Sequence, residues 1–355
     1  MKNNLKFIDL YAGIGGFRFA FEAAGGVCKF SSEWDKYSQL TYKAFHGDTP
    51  FGDIHLITDI ENQIPDHNVL AAGFPCQPFS LAGVSKKNSL GRLHGFDDPT
   101  QGTEFFKIKE ILRLKRPVAF FLENVKNLKS HDHGKTFEII KESLEKVGYT
   151  FETRIIDASK WVPQHRERIY FIGFRSDLNI SKKEILDLFP DSPQNRIYEL
   201  EDMLIPEKEL NKKYNERYTV GPGTWDTLLR HKKNHIEKGN GFGYGLITKP
   251  YQDKVTRTIS ARYHKDGAEI LIEQKGRRPR RLTPLEACKL QGFPEKCYDF
   301  FNGSKTQPVS DTQAYRQFGN SVAYPVIKDI AKNISNFIHE RDLLNTNLEI
   351  NKKAV

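Results

Sequence analysis

Cys76 is the residue in this sequence best placed to act as a nucleophile. It lies in Gly73-Phe74-Pro75-Cys76-Gln77-Pro78-Phe79-Ser80, after the apolar run Val69-Leu70-Ala71-Ala72, which reads as a buried strand. Glycine and proline then end the strand, so the thiol emerges on a turn. A thiolate is strongly nucleophilic where its surroundings lower its pKa. The plainer alternative is a buried structural cysteine.

A second group of residues suits a nucleoside. Gly13-Ile14-Gly15-Gly16 follows the strand-like Phe7-Ile8-Asp9-Leu10, and such a turn lets backbone approach a ligand closely. Its spacing is not the GxGxxG that cradles a pyrophosphate, so a dinucleotide is less favoured. Glu33, ending the next strand, is placed for ribose hydroxyls, and Trp34 offers a face to an adenine ring. Asp53, expected at a third strand end, is an acceptor for an exocyclic amine. Each has a structural alternative: glycines for a tight turn, Trp34 as core. Together, at consecutive strand ends, they point to an adenosyl ligand.

The elements that must hold these groups alternate. Strands are expected at Phe7–Leu10, Val27–Ser31, Val69–Ala72, Val118–Leu122, Phe151–Ile156 and Ile169–Phe174. Helices are expected at Phe17–Ala24, Lys36–Phe45, Thr103–Leu114 and His133–Val147. That is the signature of an α/β, doubly wound parallel sheet. The polar stretch Leu81–Gln101, with no apolar period, reads as a lid or binding loop. From Leu188 to Gly276 the periodicity fades into Gly, Pro, aromatic and basic residues, which predicts a second domain poor in helix, with strands at Leu246-Ile247 and Ala268–Glu273. Val322–Ile338 reads as a helix returning to the first domain. The expected division is 1–187 for catalysis and cofactor, 188–313 for target recognition, 314–345 for the returning helix and 346–355 for a frayed tail.

Length and charge bound the class. The chain has 355 residues, enough for about two domains, with 38% hydrophobic and 12% aromatic residues. No apolar run is long enough to span a bilayer, and Met1 to Lys6 leads straight into a strand-like segment, so no signal peptide is expected. The four cysteines, at 28, 76, 288 and 297, lack CxxC spacing, which fits a reducing cytoplasm and argues against structural zinc, and no metal is expected. A net charge of +9 favours a polyanionic partner.

With these motifs in hand, the sequence resembles the DNA (cytosine-5) methyltransferase family of bacterial modification enzymes. The ordered motifs are Asp9-Leu10-Tyr11-Ala12-Gly13-Ile14-Gly15-Gly16-Phe17, Gly73-Phe74-Pro75-Cys76-Gln77, Glu123-Asn124-Val125, Gln164-His165-Arg166-Glu167-Arg168, Arg281-Leu282-Thr283-Pro284-Leu285-Glu286-Ala287, Gln291-Gly292-Phe293-Pro294 and Gly319-Asn320-Ser321-Val322. They run in family order along nearly the whole chain. The resemblance implies a Rossmann-like S-adenosylmethionine-dependent sheet with helices on both faces, a smaller target-recognition domain, and methyl transfer to C5 of a flipped-out cytosine in duplex DNA through a Cys76 adduct at C6.

It also implies roles for individual residues. Glu123 would protonate or hydrogen-bond cytosine N3, and Arg168 would contact the base near O2. Arg166 would contact a nearby phosphate, and Asn320 would order the site. Alternation along the strand at 169–172 would put Arg166 and Arg168 on one face. Tyr11, Gly13, Gly15, Gly16, Glu33, Trp34, Asp53, Ile54 and Pro75 would surround the cofactor, with Phe74 shaping the pocket between it and the base. Gln77, Ser80, Ser85 and Val125 would meet base or DNA, as would Arg257, Arg262, Tyr263 and Lys265 in Thr256–Gly267. One departure stands out: the family's Gly-Thr-Leu-Phe reads Gly102-Thr103-Glu104-Phe105 here.

Remaining expectations are a monomer on a site of the CC…GG type, and a cognate restriction endonuclease acting on the same site without direct contact. Two other readings stand beside this one. The first is a same-fold transfer-RNA cytosine-5 methyltransferase. The second is a catalytically dead DNA-binding protein, against which the intact Cys76, Glu123 and Arg168 argue.

Overall fold

A computed structural model describes residues 4–75, 104–239, 243–303 and 306–345. Cys76, Gln77, Ser80, Ser85, the stretch Leu81–Gln101 and the tail from 346 lie outside the described residues.

Along the first part of the chain run β1 (Lys6–Leu10), α1 (Gly16–Ala23), β2 (Val27–Ser32), α2 (Lys36–His46), α3 (Ile60–Gln63) and β3 (Val69–Gly73). After the undescribed stretch come α4 (Glu104–Lys115), β4 (Ala119–Val125), α5 (Lys135–Lys146), β5 (Tyr149–Asp157), β6 (Glu167–Arg175) and α6 (Lys182–Leu186). The six strands form one sheet in the order β2-β1-β3-β4-β6-β5. The strands β2, β1, β3 and β4 are parallel, but β6 runs antiparallel to both β4 and β5. The sheet is therefore mixed, where the alternation predicted parallel strands throughout. The short β5–β6 connection, which has no helix longer than a 3-10 turn, permits only an antiparallel pair.

Both faces are buried, as the apolar runs require. Phe7, Ala71, Phe121, Tyr170 and Ile172 point into one core, which also takes residues of α1 and the C-terminal helix. Ile8, Leu70, Leu122 and Phe171 alternate into a second core under α4 and α5. Glu123 shares the parity of Phe121, and Arg168 that of Tyr170, so both belong to the first face.

The second part holds α7 (Leu200–Met203), α8 (Glu207–Tyr214), α9 (Pro222–Glu237) and a small sheet of β7 (Leu246–Ile247), β8 (Leu271–Gln274) and β9 (Arg277–Arg280). Among its described residues, the stretch expected to be poor in helix thus carries three helices. In α9 only Leu228 is buried, so its apolar stripe is too thin to read against a polar sequence. Val220 and Leu271 complete a small core with Leu228.

The chain then returns through α10 (Pro284–Leu290), α11 (Asp311–Asn320) and α12 (Tyr324–Glu340). A buried bidentate pair, Arg280 to Glu286 at 2.8 Å on both arms, closes β9 onto α10. Helix α12 lies on α1: Tyr324 meets Phe19 edge-on, and Ser335 Oγ donates to the Ala24 carbonyl at 3.1 Å. Among the described residues no helix is long and apolar enough to cross a membrane.

Candidate active site

Strand β1 has β2 on one side and β3 on the other, so the chain changes direction beside it. The carboxyl ends of the parallel strands at such a switch point form a ready crevice. Here those ends deliver Tyr11 and the glycine turn from β1, Glu33 after β2, Phe74 and Pro75 after β3, and Glu123 on β4.

The glycine turn is held by the acid opposite it. Gly13 N–H donates to Glu33 Oε2 at 2.7 Å, and Asp35 N–H to Oε1 at 2.8 Å. Each carboxylate oxygen keeps a lone pair for a ligand hydroxyl. Burial raises the Glu33 pKa, against the pull of those amides. Gly15 has φ +84°, and a Cβ there would stand 2.1 Å from His46 Nε2, so both backbone and space demand glycine. Gly16 opens α1.

Trp34 is 78% exposed, which rules out the core alternative and leaves a bare aromatic face at the crevice. Asp53 is not on a strand. It caps a 3-10 turn at Ile54–Leu56, its Oδ1 accepting from His55 N–H at 2.9 Å, and Ile54 itself is buried. Tyr11 has φ +54° and donates its hydroxyl to the Glu104 carbonyl at 2.9 Å. An indole face, a ribose-type acceptor and an amine acceptor around a glycine turn fit the adenosyl half of S-adenosylmethionine.

Beside this crevice lies the acid–guanidinium pair. Glu123 sits inside β4, which runs past the expected end at Leu122 to Val125, and Arg168 in β6 places Nε 2.9 Å from Glu123 Oε1. Burial raises the Glu123 pKa, while Arg168 and Arg166 pull it down. Gly73 on β3 is the register partner of Glu123, and a Cβ on it would be 3.6 Å from Glu123 Oε2. Two residues beyond lies Pro75, and Cys76 follows in the sequence.

Asn124 supplies a strap that the sequence motif contained but did not explain. Its Nδ2 donates to the Phe74 carbonyl at 2.9 Å, while its Oδ1 accepts from Val125 N–H at 2.8 Å. The ends of β3 and β4 are thereby locked together ahead of Cys76. Phe74 is buried, and Pro75 and, at the end of β4, Val125 are exposed.

Arg166 departs from expectation. It precedes β6 and is 1% exposed, and its guanidinium donates to the carbonyls of Ile259, Gly319 and Ser321. Those donors tie 259–260 to the end of α11 and leave no outward face for a phosphate. Gly319 makes this junction possible, since a Cβ there would come within 2.3 Å of Ser260 and Ala261 backbone. Gln164 adds to it by accepting from Ile259 N–H at 2.8 Å and donating to the Leu290 carbonyl at 3.2 Å. Next to Arg166, exposed His165 pairs with Asp157, Nδ1 to Oδ2 at 2.7 Å. Asn320, the last residue of α11, is exposed.

In the second part of the chain, Arg257, Arg262 and Lys265 are exposed, but Tyr263 is not. Its hydroxyl donates to the Ile270 carbonyl at 2.7 Å and accepts from Leu282 N–H at 2.8 Å, and its ring packs on Tyr315. Tyr263 is core, which corrects the expectation of DNA contact. A buried tyrosine with both hydrogen-bonding capacities satisfied has nothing left for a groove.

The strand order and the crevice put the chain among the Rossmann-like methyltransferases, and solved structures agree on the fold. The S. pombe Dnmt2 methyltransferase superposes with a TM-score of 0.69 at 20% identity, over 95% of this chain and 99% of that one. Among curated relatives, the DNA-cytosine methyltransferase of Escherichia coli (strain K12) is 47% identical over 92% of this chain and 76% of that protein. The type II methyltransferase M.SsoII of Shigella sonnei is 48% identical over 93% and 79%, and M.HhaI of Haemophilus parahaemolyticus 37% over 94% and 95%. The family model for C-5 cytosine-specific DNA methylases matches residues 5–336. The chain belongs to that family and is a DNA (cytosine-5) methyltransferase.

Proposed function

We propose that this enzyme methylates one cytosine in a short duplex site, by way of a covalent adduct between Cys76 and C6 of a flipped-out base. The observation that carries the reading is the buried Glu123–Arg168 pair opposite Gly73, on the strand end that leads to Cys76. Cytosine C5 is a poor nucleophile until addition at C6 interrupts the aromatic ring. The Cys76 thiolate forms the Sγ–C6 bond, and ring electrons shift toward C5 and N3. Glu123, whose pKa burial raises against the pull of Arg168 and Arg166, supplies a proton or hydrogen bond to N3 and offsets that charge. Arg168 holds the Glu123 carboxyl in register and presents its remaining donors to the base near O2.

The adenosyl donor is held by Glu33 at the ribose, Trp34 and Tyr11 at the adenine face, Asp53 at the amine, the turn at Gly13, Gly15 and Gly16, and Pro75. When bound, it would supply an electrophilic methyl group for C5 with S-adenosylhomocysteine as the leaving group, and loss of the C5 proton to solvent then lets the Sγ–C6 bond break and return Cys76 as thiolate. Asn124 keeps the Phe74–Pro75 turn in place meanwhile.

A base stacked in a duplex hides both reacting carbons, so it must leave the helix at a cost of a few kcal/mol that protein contacts offset. Gln77, Ser80 and Ser85 after the nucleophile, Val125, and exposed Arg257, Arg262 and Lys265 in the target domain supply those contacts. Residues 1–187 act as catalytic domain, 188–313 as target domain and 314–345 as the returning helix. The setting is a restriction–modification system, as the names of the type II relatives support, with a site of the CC…GG type. Bisulfite sequencing of host DNA expressing the gene tests the site: methylation confined to other contexts rejects it. Tritiated methyl appearing in transfer RNA and absent from DNA would favour the RNA reading.

A further inference from the structure

Glu104 stands where the family motif has an apolar residue, and the structure gives its carboxylate a partner. Oε2 lies 2.8 Å from His55 Nε2, joining the start of α4 to the turn that carries Asp53. His55 is also bound to that turn through its backbone, its N–H donating to Asp53 Oδ1 at 2.9 Å. Tyr11, from the end of β1, donates its hydroxyl to the main-chain carbonyl of the same Glu104 at 2.9 Å. Three separate elements on the adenine side of the crevice therefore meet at one residue. One turn along α4, Lys107 Nζ donates to the Ile57 carbonyl at 2.9 Å, a neighbouring strap that does not involve Asp53.

We propose that the His55–Glu104 pair is a positioning element of the adenine subsite, setting the aim of Asp53 and thereby the affinity for the adenosyl group. It rests on the reading of this crevice as the S-adenosylmethionine site. The pair itself need not touch the ligand. His55 ties the Asp53 carboxylate to the turn, and Glu104 ties the turn to α4. With leucine at 104 the side chain would have no acceptor for His55, and the link from the start of α4 to the Asp53 turn would be lost.

The test is calorimetric binding of S-adenosylhomocysteine to the purified full chain, alongside KM for S-adenosylmethionine and kcat on DNA. His55→Ala and Glu104→Ala each raise Kd and KM by about fivefold, the size expected of a single side-chain hydrogen bond, while kcat at saturating donor stays within about twofold. The double variant is no weaker than either single one, since both remove the same link. Glu104→Gln, which keeps an acceptor for His55, retains near wild-type affinity, and Lys107→Met leaves it unchanged. Multiplying single effects, unchanged Kd in the alanine variants, or equal weakening by Lys107→Met would overturn the proposal. Failure of the wild-type chain to bind S-adenosylhomocysteine would instead overturn the reading of the crevice.

Discussion

Arg168 Nε and Glu123 Oε1 are 2.9 Å apart in a part of the molecule nearly closed to water, and they join β6 to β4 at the catalytic edge of the sheet. Burial raises the Glu123 pKa and the guanidinium restrains it, so the carboxyl is an acid held in place by a cation. Glu123→Gln keeps a hydrogen-bond acceptor for Arg168 and loses the proton. Single-turnover methylation should fall by about a hundredfold or more, with DNA binding retained. A raised carboxyl pKa also means that the active, protonated form is lost as pH rises through it. The wild-type rate should therefore show an alkaline limb attributable to Glu123 that the Gln variant lacks.

Arg166 makes the opposite prediction. Its donors serve three internal carbonyls, so Arg166→Lys should cost about 2 kcal/mol of stability in urea denaturation, because buried acceptors lose their partners. The salt dependence of DNA binding should not change. A shallower salt slope in the variant would restore the phosphate contact expected from the motif.

Trp34 is exposed, so its loss is not a loss of core. Trp34→Ala should leave the thermal midpoint nearly unchanged and weaken S-adenosylhomocysteine binding by about tenfold, as removal of a stacking partner does. Quenching of tryptophan fluorescence on ligand addition should vanish with it.

Asp9 links the fold to pH. It is fully buried on β1, its Oδ2 accepts from Arg18 N–H at 3.2 Å, and burial pushes its pKa from 3.8 to about 8. The unfolded chain ionises this carboxyl near its ordinary value. Between roughly pH 4 and pH 8 the folded state thus holds the extra proton, and stability falls as pH rises through that window. Asp9→Asn should flatten this part of the stability profile in denaturation measured from pH 5 to 8.

Much of this was legible in the sequence because the information is local. The six strands of the large sheet announce themselves as apolar runs, and glycine turns and strand-end acids mark the crevice. What was not legible depends on partners far away in the chain. Arg166 reads as a basic strand residue until Ile259, Gly319 and Ser321 arrive around it, and Tyr263 reads as an aromatic contact until Ile270 and Leu282 take up its hydroxyl. The direction of β6 escaped because an apolar strand reads alike in either sense. Helix α9 escaped because it buries little, and propensity without an apolar stripe is a weak signal.

The central claim is that the thiol of residue 76 bonds to the target base. Duplex DNA carrying 5-fluorocytosine at the methylated position, incubated with the full chain and S-adenosylmethionine, should give a stoichiometric complex that survives denaturation. Peptide mass spectrometry should place the link at Cys76, and Cys76→Ser should give none. A wild-type chain that methylates unmodified DNA yet forms no such complex, or a Ser variant that turns over at near wild-type rate, would contradict the account.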